Sequence, residues 1–215
     1  LFSVTSSRRP RNQPAASAEL PVGYSVSLNP HMRLSFGPAL GVGIASEAEY
    51  VDVEMTESVD AKQFSQSLSE KLPPGLALVE ARQVSSTASL AAELNLAAYQ
   101  AQVADLVAPE QIAAAETAVK RLQQSESVTY VRRAPKGIKT MDLKDYLVGD
   151  LETEAAAESF FVRFWLRMTP GGAVKPQEVM RALVELFDFP AGNTAYCRIA
   201  LRADTKSGQK SAFEI

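Results

Sequence analysis

His31 is the chain's single histidine, and Arg33 follows two positions later in Asn29-Pro30-His31-Met32-Arg33. An imidazole titrates near neutral pH, so His31 is the candidate acid–base group, with Arg33 beside it to neutralise an anion such as phosphate. Asn29 would orient a ligand at the same loop. The competing structural reading is that Asn29, Pro30 and His31 shape a turn, the ring bonding to backbone. A second set lies in FFVRFWLRM, residues 160–168. Strand alternation sends Phe160, Val162, Phe164, Leu166 and Met168 to one face and Phe161, Arg163, Trp165 and Arg167 to the other. In YCRIALRA, residues 196–203, Cys197, Ile199 and Leu201 oppose Tyr196, Arg198 and Arg202. An open face carrying Arg163, Trp165, Arg167 and Arg198 would stack on RNA bases and pair with phosphates. The alternative is that this face is packed away, its arginines paired with Glu and Asp. Lys136, Lys139 and Lys144 would lengthen a basic edge.

Other chemistries lack their residues. One cysteine, Cys197, supplies neither a disulfide framework, a cysteine-rich zinc site nor the three thiolates of an iron–sulfur cluster. One histidine leaves a His-based zinc site without ligands and Ser35 without a triad. Gly37, Gly41 and Gly43 follow neither phosphate-loop spacing and read as a bend or a close backbone approach. Glu47, Glu49, Asp52 and Glu54 form an acidic run, with Asp52 and Glu54 expected on a solvated strand face opposite Val51 and Val53. No cofactor is expected. A net charge of -3 with 46% apolar and 22% charged residues describes a globular protein with a core, not a generally basic nucleic-acid binder. No apolar run reaches the ~18 residues of a membrane span, and Leu1–Val4 is short of a signal-peptide core. A cytoplasmic protein without a membrane partner is expected.

The elements that would position these residues come in two series. Residues 1–19 carry Arg8, Arg9, Pro10, Arg11 and Pro14 without an apolar period and read as a disordered or loose basic arm. Residues 20–95 read as strands at 33–36 and 50–55, a helix capped by Asp60 with Phe64, Leu68 and Leu72 on its inner face, and a strand at 76–81. Residues 96–204 read as strand, helix from Pro109, strand at 128–133, an extended arm or extra strand at 137–146, strand at 160–168, helix from Pro176 and strand at 196–203. That order is βαββαβ, the split-βαβ or ferredoxin-like motif. The expected fold is α+β, two ferredoxin-like units in tandem, the first lacking a recognisable initial strand and helix. Residues 205–215 read as a tail.

The run Asn29-Pro30-His31-Met32-Arg33-Leu34-Ser35-Phe36-Gly37-Pro38-Ala39-Leu40, with Gly43 and Ser46-Glu47 before Glu49-Tyr50, resembles the signature of the radical SAM-linked protein family. This is a bacterial domain of unknown function found beside or fused to B12-binding-type radical SAM proteins, often encoded near ribonuclease E/G. The resemblance spans about residues 20–205 and includes Pro135-Lys136-Gly137 leading to Met141-Asp142-Leu143, and Gly171-Gly172 before Lys175-Pro176. Family members carry a stretch like F-L-S-H-L-D and an Arg-rich helix ahead of the equivalent of Leu20-Pro21-Val22; this chain has SVTSSRRPRNQPAAS there. The resemblance implies a radical SAM partner and, through genomic company, RNA. The expected function is a noncatalytic accessory protein presenting RNA or a protein substrate to that enzyme. The alternatives are an RNA-processing or RNA-modifying enzyme using His31, and a structural protein-interaction domain.

Overall fold

The computed structural model describes residues 2–6, 20–84, 89–134, 137–169 and 172–215. Its strands and helices make an α+β architecture, divided into two compact units: Leu1–Asn95 with Arg198–Ile215, and Leu96–Cys197.

The first unit contains β1 (Phe2–Ser6), β2 (Leu34–Phe36), β3 (Ala45–Ser46), β4 (Glu49–Val53), α1 (Ala61–Ser69), β5 (Leu76–Ala81) and the single turn α2 (Leu90–Glu93). Four of the strands form a sheet in the order β2-β4-β1-β5, with antiparallel neighbours throughout. Phe2 is the register partner of Val51 on one side and Ala81 on the other. Strand β1 is thus an initial strand that the sequence leaves unrecognised, and the expectation of a loose arm over 1–19 is corrected at Phe2–Ser6. A five-residue strand written FSVTS and paired on both edges is held by its ladder, so it leaves almost no apolar period to read. Residues 7–19, with Arg8, Arg9 and Arg11, lie outside the described residues, as does any helix within that span.

Helix α1 forms where the sequence places it. Asp60 Oδ1 accepts hydrogen bonds from the backbone N–H of Lys62 at 2.9 Å and Gln63 at 3.1 Å, satisfying two otherwise orphaned donors. Its inner face buries Phe64 and Leu68 with Val51, and Leu20, Leu34, Val53 and Leu78 pack around them. Phe64 and Leu68, almost fully buried, contribute about 2 kcal/mol each. After the Pro73-Pro74 stop, Gly75 takes φ +87°, a value suited to glycine, to turn the chain into β5.

The second unit contains β6 (Leu96–Ala104), α3 (Pro109–Gln124), β7 (Thr129–Ala134), β8 (Gly137–Asp142), a 3₁₀ turn (Leu143–Asp145), β9 (Leu147–Ala155), β10 (Ser159–Arg167), α4 (Pro176–Phe187) and the opening residues of β11 (Thr194–Thr205). Its sheet runs β11-β6-β10-β9, and β10 lies antiparallel to β6 from Ser159↔Ala104 to Arg167↔Leu96. Phe160, Val162, Phe164 and Leu166 are buried on one side of β10, as are Ala115, Val119 and Leu122 of α3 and Val179 and Leu183 of α4. The strand expected at 128–133 forms as β7, but it pairs only with β8 in a separate two-stranded ribbon. Its expected place in the sheet is taken by β9, for which the sequence gives no signal. In that strand Leu151 alone is buried, while Gly149, Asp150, Glu152 and Glu154 are exposed, so no alternation marks it.

Strand β11 passes from the second unit into the first at Arg198. The last residues return as β12 (Gly208–Lys210), paired with β11 through Ala203↔Lys210. Ala212 is buried, and the Phe213 ring meets Tyr50 edge-on at 5.9 Å. Residues 205–215 are therefore part of the first unit rather than a tail; turn residues such as Thr205-Lys206-Ser207-Gly208 mark the hairpin, but nothing local announces the Phe213 contact.

Candidate functional site

In the first unit, strands β2 and β4 put Ser35 opposite Asp52 and Leu34 opposite Val53. A cleft of about 850 Å³ opens there, walled by Leu34, Met55, Val59 and Phe64 and edged by Arg33, Asp52, Glu54 and Arg82. Backbone bonds set Arg33 at the rim: its N–H donates to Gly23 O at 2.8 Å and its carbonyl accepts from Glu54 N at 3.1 Å. Its guanidinium Nη1 lies 2.7 Å from Glu54 Oε1. On the opposite rim Arg82 Nε is 2.5 Å from Glu80 Oε1, and the guanidinium sits 4.6 Å above the Phe213 ring.

Asp52 differs from these paired groups. Its Oδ1 is buried with no hydrogen-bond partner among the described residues, and burial raises its carboxyl above the ordinary 3.8. The solvated-face reading therefore fails for Asp52, while Glu54, exposed and paired with Arg33, keeps it. Alternation assigns Asp52 to a face but does not say what covers that face, and no local pattern marks Arg82.

His31 and Asn29 stand in an exposed loop next to this region, outside the cleft lining. Tyr24 and Met32 form a bridge; Ser25 N–H donates to His31 O at 2.8 Å, and His31 N–H donates to Ser25 Oγ at 3.0 Å. Asn29 contributes its carbonyl, which accepts from Ser27 Oγ at 2.7 Å. The loop is thus held by backbone and serine hydroxyls, and the imidazole makes no hydrogen bond with the described residues. Of the three loop candidates, only Arg33 reaches the cleft. Gly43, at φ +80°, supplies the bend expected of the glycine-rich stretch.

The sheet candidates separate. Phe161, Arg163 and Trp165 are half-buried and Arg167 is exposed, opposite the buried face of β10. Arg163 is engaged within its own unit: Nε donates to Gln100 Oε1 at 2.7 Å, Nη2 lies 2.7 Å from Glu154 Oε2, and the guanidinium is 5.9 Å from the Phe161 ring centre. Glu152 is the register partner of Arg163 on β9, making the surface mixed in charge rather than basic. Arg198 does not join that surface. It is wholly enclosed, hydrogen-bonded to Glu49 and to Pro38 O. This corrects its assignment to an open face: Glu49, far away in sequence, meets it.

Among the described residues, no group of three or more His, Cys, Asp or Glu side chains is placed to hold a metal ion, and no helix is long and apolar enough to cross a membrane. No curated protein matches the sequence. The model of a bacterial family matches residues 15–176, most of the chain, and the protein accordingly belongs to the family described as "Uncharacterized protein conserved in bacteria (DUF2344)".

Proposed function

We propose that this protein is a noncatalytic accessory protein of the cytoplasm that docks with a radical SAM enzyme and holds a protein substrate for it in the cleft of the first unit. The observation that carries the reading is the cleft itself: apolar walls from Leu34, Met55, Val59 and Phe64 beneath a rim of charged groups, with the imidazole of His31 outside it. Such a combination binds and orients, and the described residues that line it include neither His nor Cys. The radical SAM partner comes from the resemblance carried by Asn29–Leu40, and one cysteine requires that the partner supply the cluster. Between the two expected substrate classes, the engagement of Arg163 with Glu154 and the enclosure of Arg198 favour protein over RNA.

The test is affinity capture from the native host, followed by identification of the bound proteins and nucleic acid. A radical SAM enzyme should be recovered with the wild type and with Phe64→Lys or Val59→Glu, whereas the substrate should be lost with those cleft variants. Recovery of RNA whose binding weakens steeply with salt, or of no radical SAM enzyme at all, overturns the proposal.

A further inference from the structure

We infer that the free protein is a two-fold dimer in which the Tyr24–Met32 loop of each copy lies in the first-unit cleft of the other. The inference rests on reading this cleft as a binding site for protein and adds what fills it when no substrate is present. At the tip of the loop Val26 is 98% exposed and Leu28 102%, with Tyr24 at the base 48% exposed. These side chains are held out rather than tucked back. The Tyr24–Met32 bridge closes the loop, Ser25 N–H donates to His31 O at 2.8 Å, and Ser27 Oγ donates to Asn29 O at 2.7 Å. Two aliphatic side chains wholly in water on one short, braced loop gain from an apolar cover. A bilayer is the poorer cover, because Tyr24–Met32 carries no lysine, arginine or tryptophan to meet lipid headgroups.

The cleft of a second copy supplies that cover. Leu34, Met55, Val59 and Phe64 wall it, and about 850 Å³ admits two aliphatic side chains with the turn of backbone that bears them. The loop runs directly into Arg33 and Leu34 of the lining, yet none of Tyr24–Met32 lines the cleft of its own chain. A loop and a cleft lying side by side on one copy are what an isologous contact needs. A two-fold axis between them seats both loops at once, and the assembly closes at two copies. The rim does not oppose this pairing, since its arginines already have their charges matched, Arg33 with Glu54 at 2.7 Å and Arg82 with Glu80 at 2.5 Å. A protein substrate then enters by displacing the loop, so dimerisation and substrate binding exclude each other at each cleft.

The experiment is sedimentation equilibrium of the full chain over about 1 to 300 µM, a range that brackets a weak dimer. Aliphatic side chains withdrawn from water at both clefts, set against the entropy of joining two chains, place the dissociation constant on the order of 10 µM. Leu28→Asp, at a position wholly in solvent and therefore harmless to the fold, should weaken association about a hundredfold, roughly tenfold at each cleft. Val59→Glu, on the cleft wall, should do the same. An equimolar mixture of the two variants should associate about tenfold more tightly than either alone, because one intact loop then meets one intact cleft. A wild type that stays monomeric throughout overturns the inference, as do a dimer indifferent to Leu28→Asp and a mixture no tighter than its components. The first two readings need no change in the cleft. A monomer leaves the accessory role standing, whereas the expected dimer with no radical SAM enzyme captured removes the accessory role alone.

Discussion

Arg198 and Glu49, 149 positions apart in sequence, meet in an ion pair whose arginine is 0% exposed and whose carboxylate is 14% exposed. Arg198 Nε donates to Glu49 Oε1 at 3.1 Å, Nη2 donates to the same oxygen, and Nη2 also donates to Pro38 O at 3.1 Å. The carboxylate is further tied to Ser46 Oγ at 2.6 Å. Strand β11 is thereby fastened to the start of β4 and to the loop that follows β2. Removing one partner strands a buried charge, so Glu49→Ala should destabilise by about 3–5 kcal/mol in urea denaturation. Replacing both partners, as in Glu49→Leu with Arg198→Met, should recover much of that loss. A double variant as unstable as the sum of its singles would show that the pair is not coupled.

A second pair responds to acid. Arg132 of β7 bonds Glu178 of α4 through Nε to Oε1 and Nη2 to Oε2, both at 2.6 Å, and Glu178 also accepts from Lys175 N at 2.8 Å. Burial alone would raise the Glu178 carboxyl, but these hydrogen bonds and neighbouring charges outweigh it and hold the group below the ordinary value of 4.5. A depressed carboxylate contributes stability that is present above its unfolded pKa and is lost as pH falls through the folded one. Glu178→Gln should therefore cost about 2 kcal/mol at neutral pH, the scale of hydrogen bonds to a charged group. The gap from wild type should close below about pH 4.5. Because Arg132 belongs to the β7–β8 ribbon, amide exchange in Thr129–Asp142 should accelerate in the same variant. Melting curves across pH check the first expectation and exchange the second; parallel curves at every pH would sink the linkage.

Local rules of the sequence proved legible where the physics is local. Asp60 before an apolar i, i+4 run reads as a cap because the bond it makes lies two or three residues away, and FFVRFWLRM reads as a strand because each face is written in alternate letters. Strands β1 and β9 escaped the same rules for opposite reasons. One is central but short and hydroxyl-rich; the other is an edge that packs little beyond Leu151. Alternation also put Arg163, Trp165 and Arg167 on a common face. It could not say that Arg198 would be sealed against Glu49, since that depends on a residue distant in the chain.

The cap itself gives a quantitative check next to the cleft. Asp60 is the side-chain N-cap of α1, whose Phe64 forms part of the cleft wall. Asp60→Ala should lower stability by about 1 kcal/mol. Asp60→Ser, which keeps an acceptor oxygen, should restore most of it. If alanine and serine variants unfold alike in urea, the two N–H bonds are not what holds the helix start.

Asp52 supplies the opposite pH response from Glu178. Its carboxyl is raised by burial above the ordinary 3.8, so the folded protein binds this proton more tightly than the unfolded chain does. Stability is then greatest with the group protonated and falls as pH rises from about the unfolded value through the raised folded one. Asp52→Asn, which cannot ionise, should melt higher than the wild type at neutral pH and match it at about pH 3. Thermal unfolding of both proteins across this range decides it. A variant no more stable than the wild type at neutral pH would mean that the Asp52 carboxylate already has its charge matched in the folded protein.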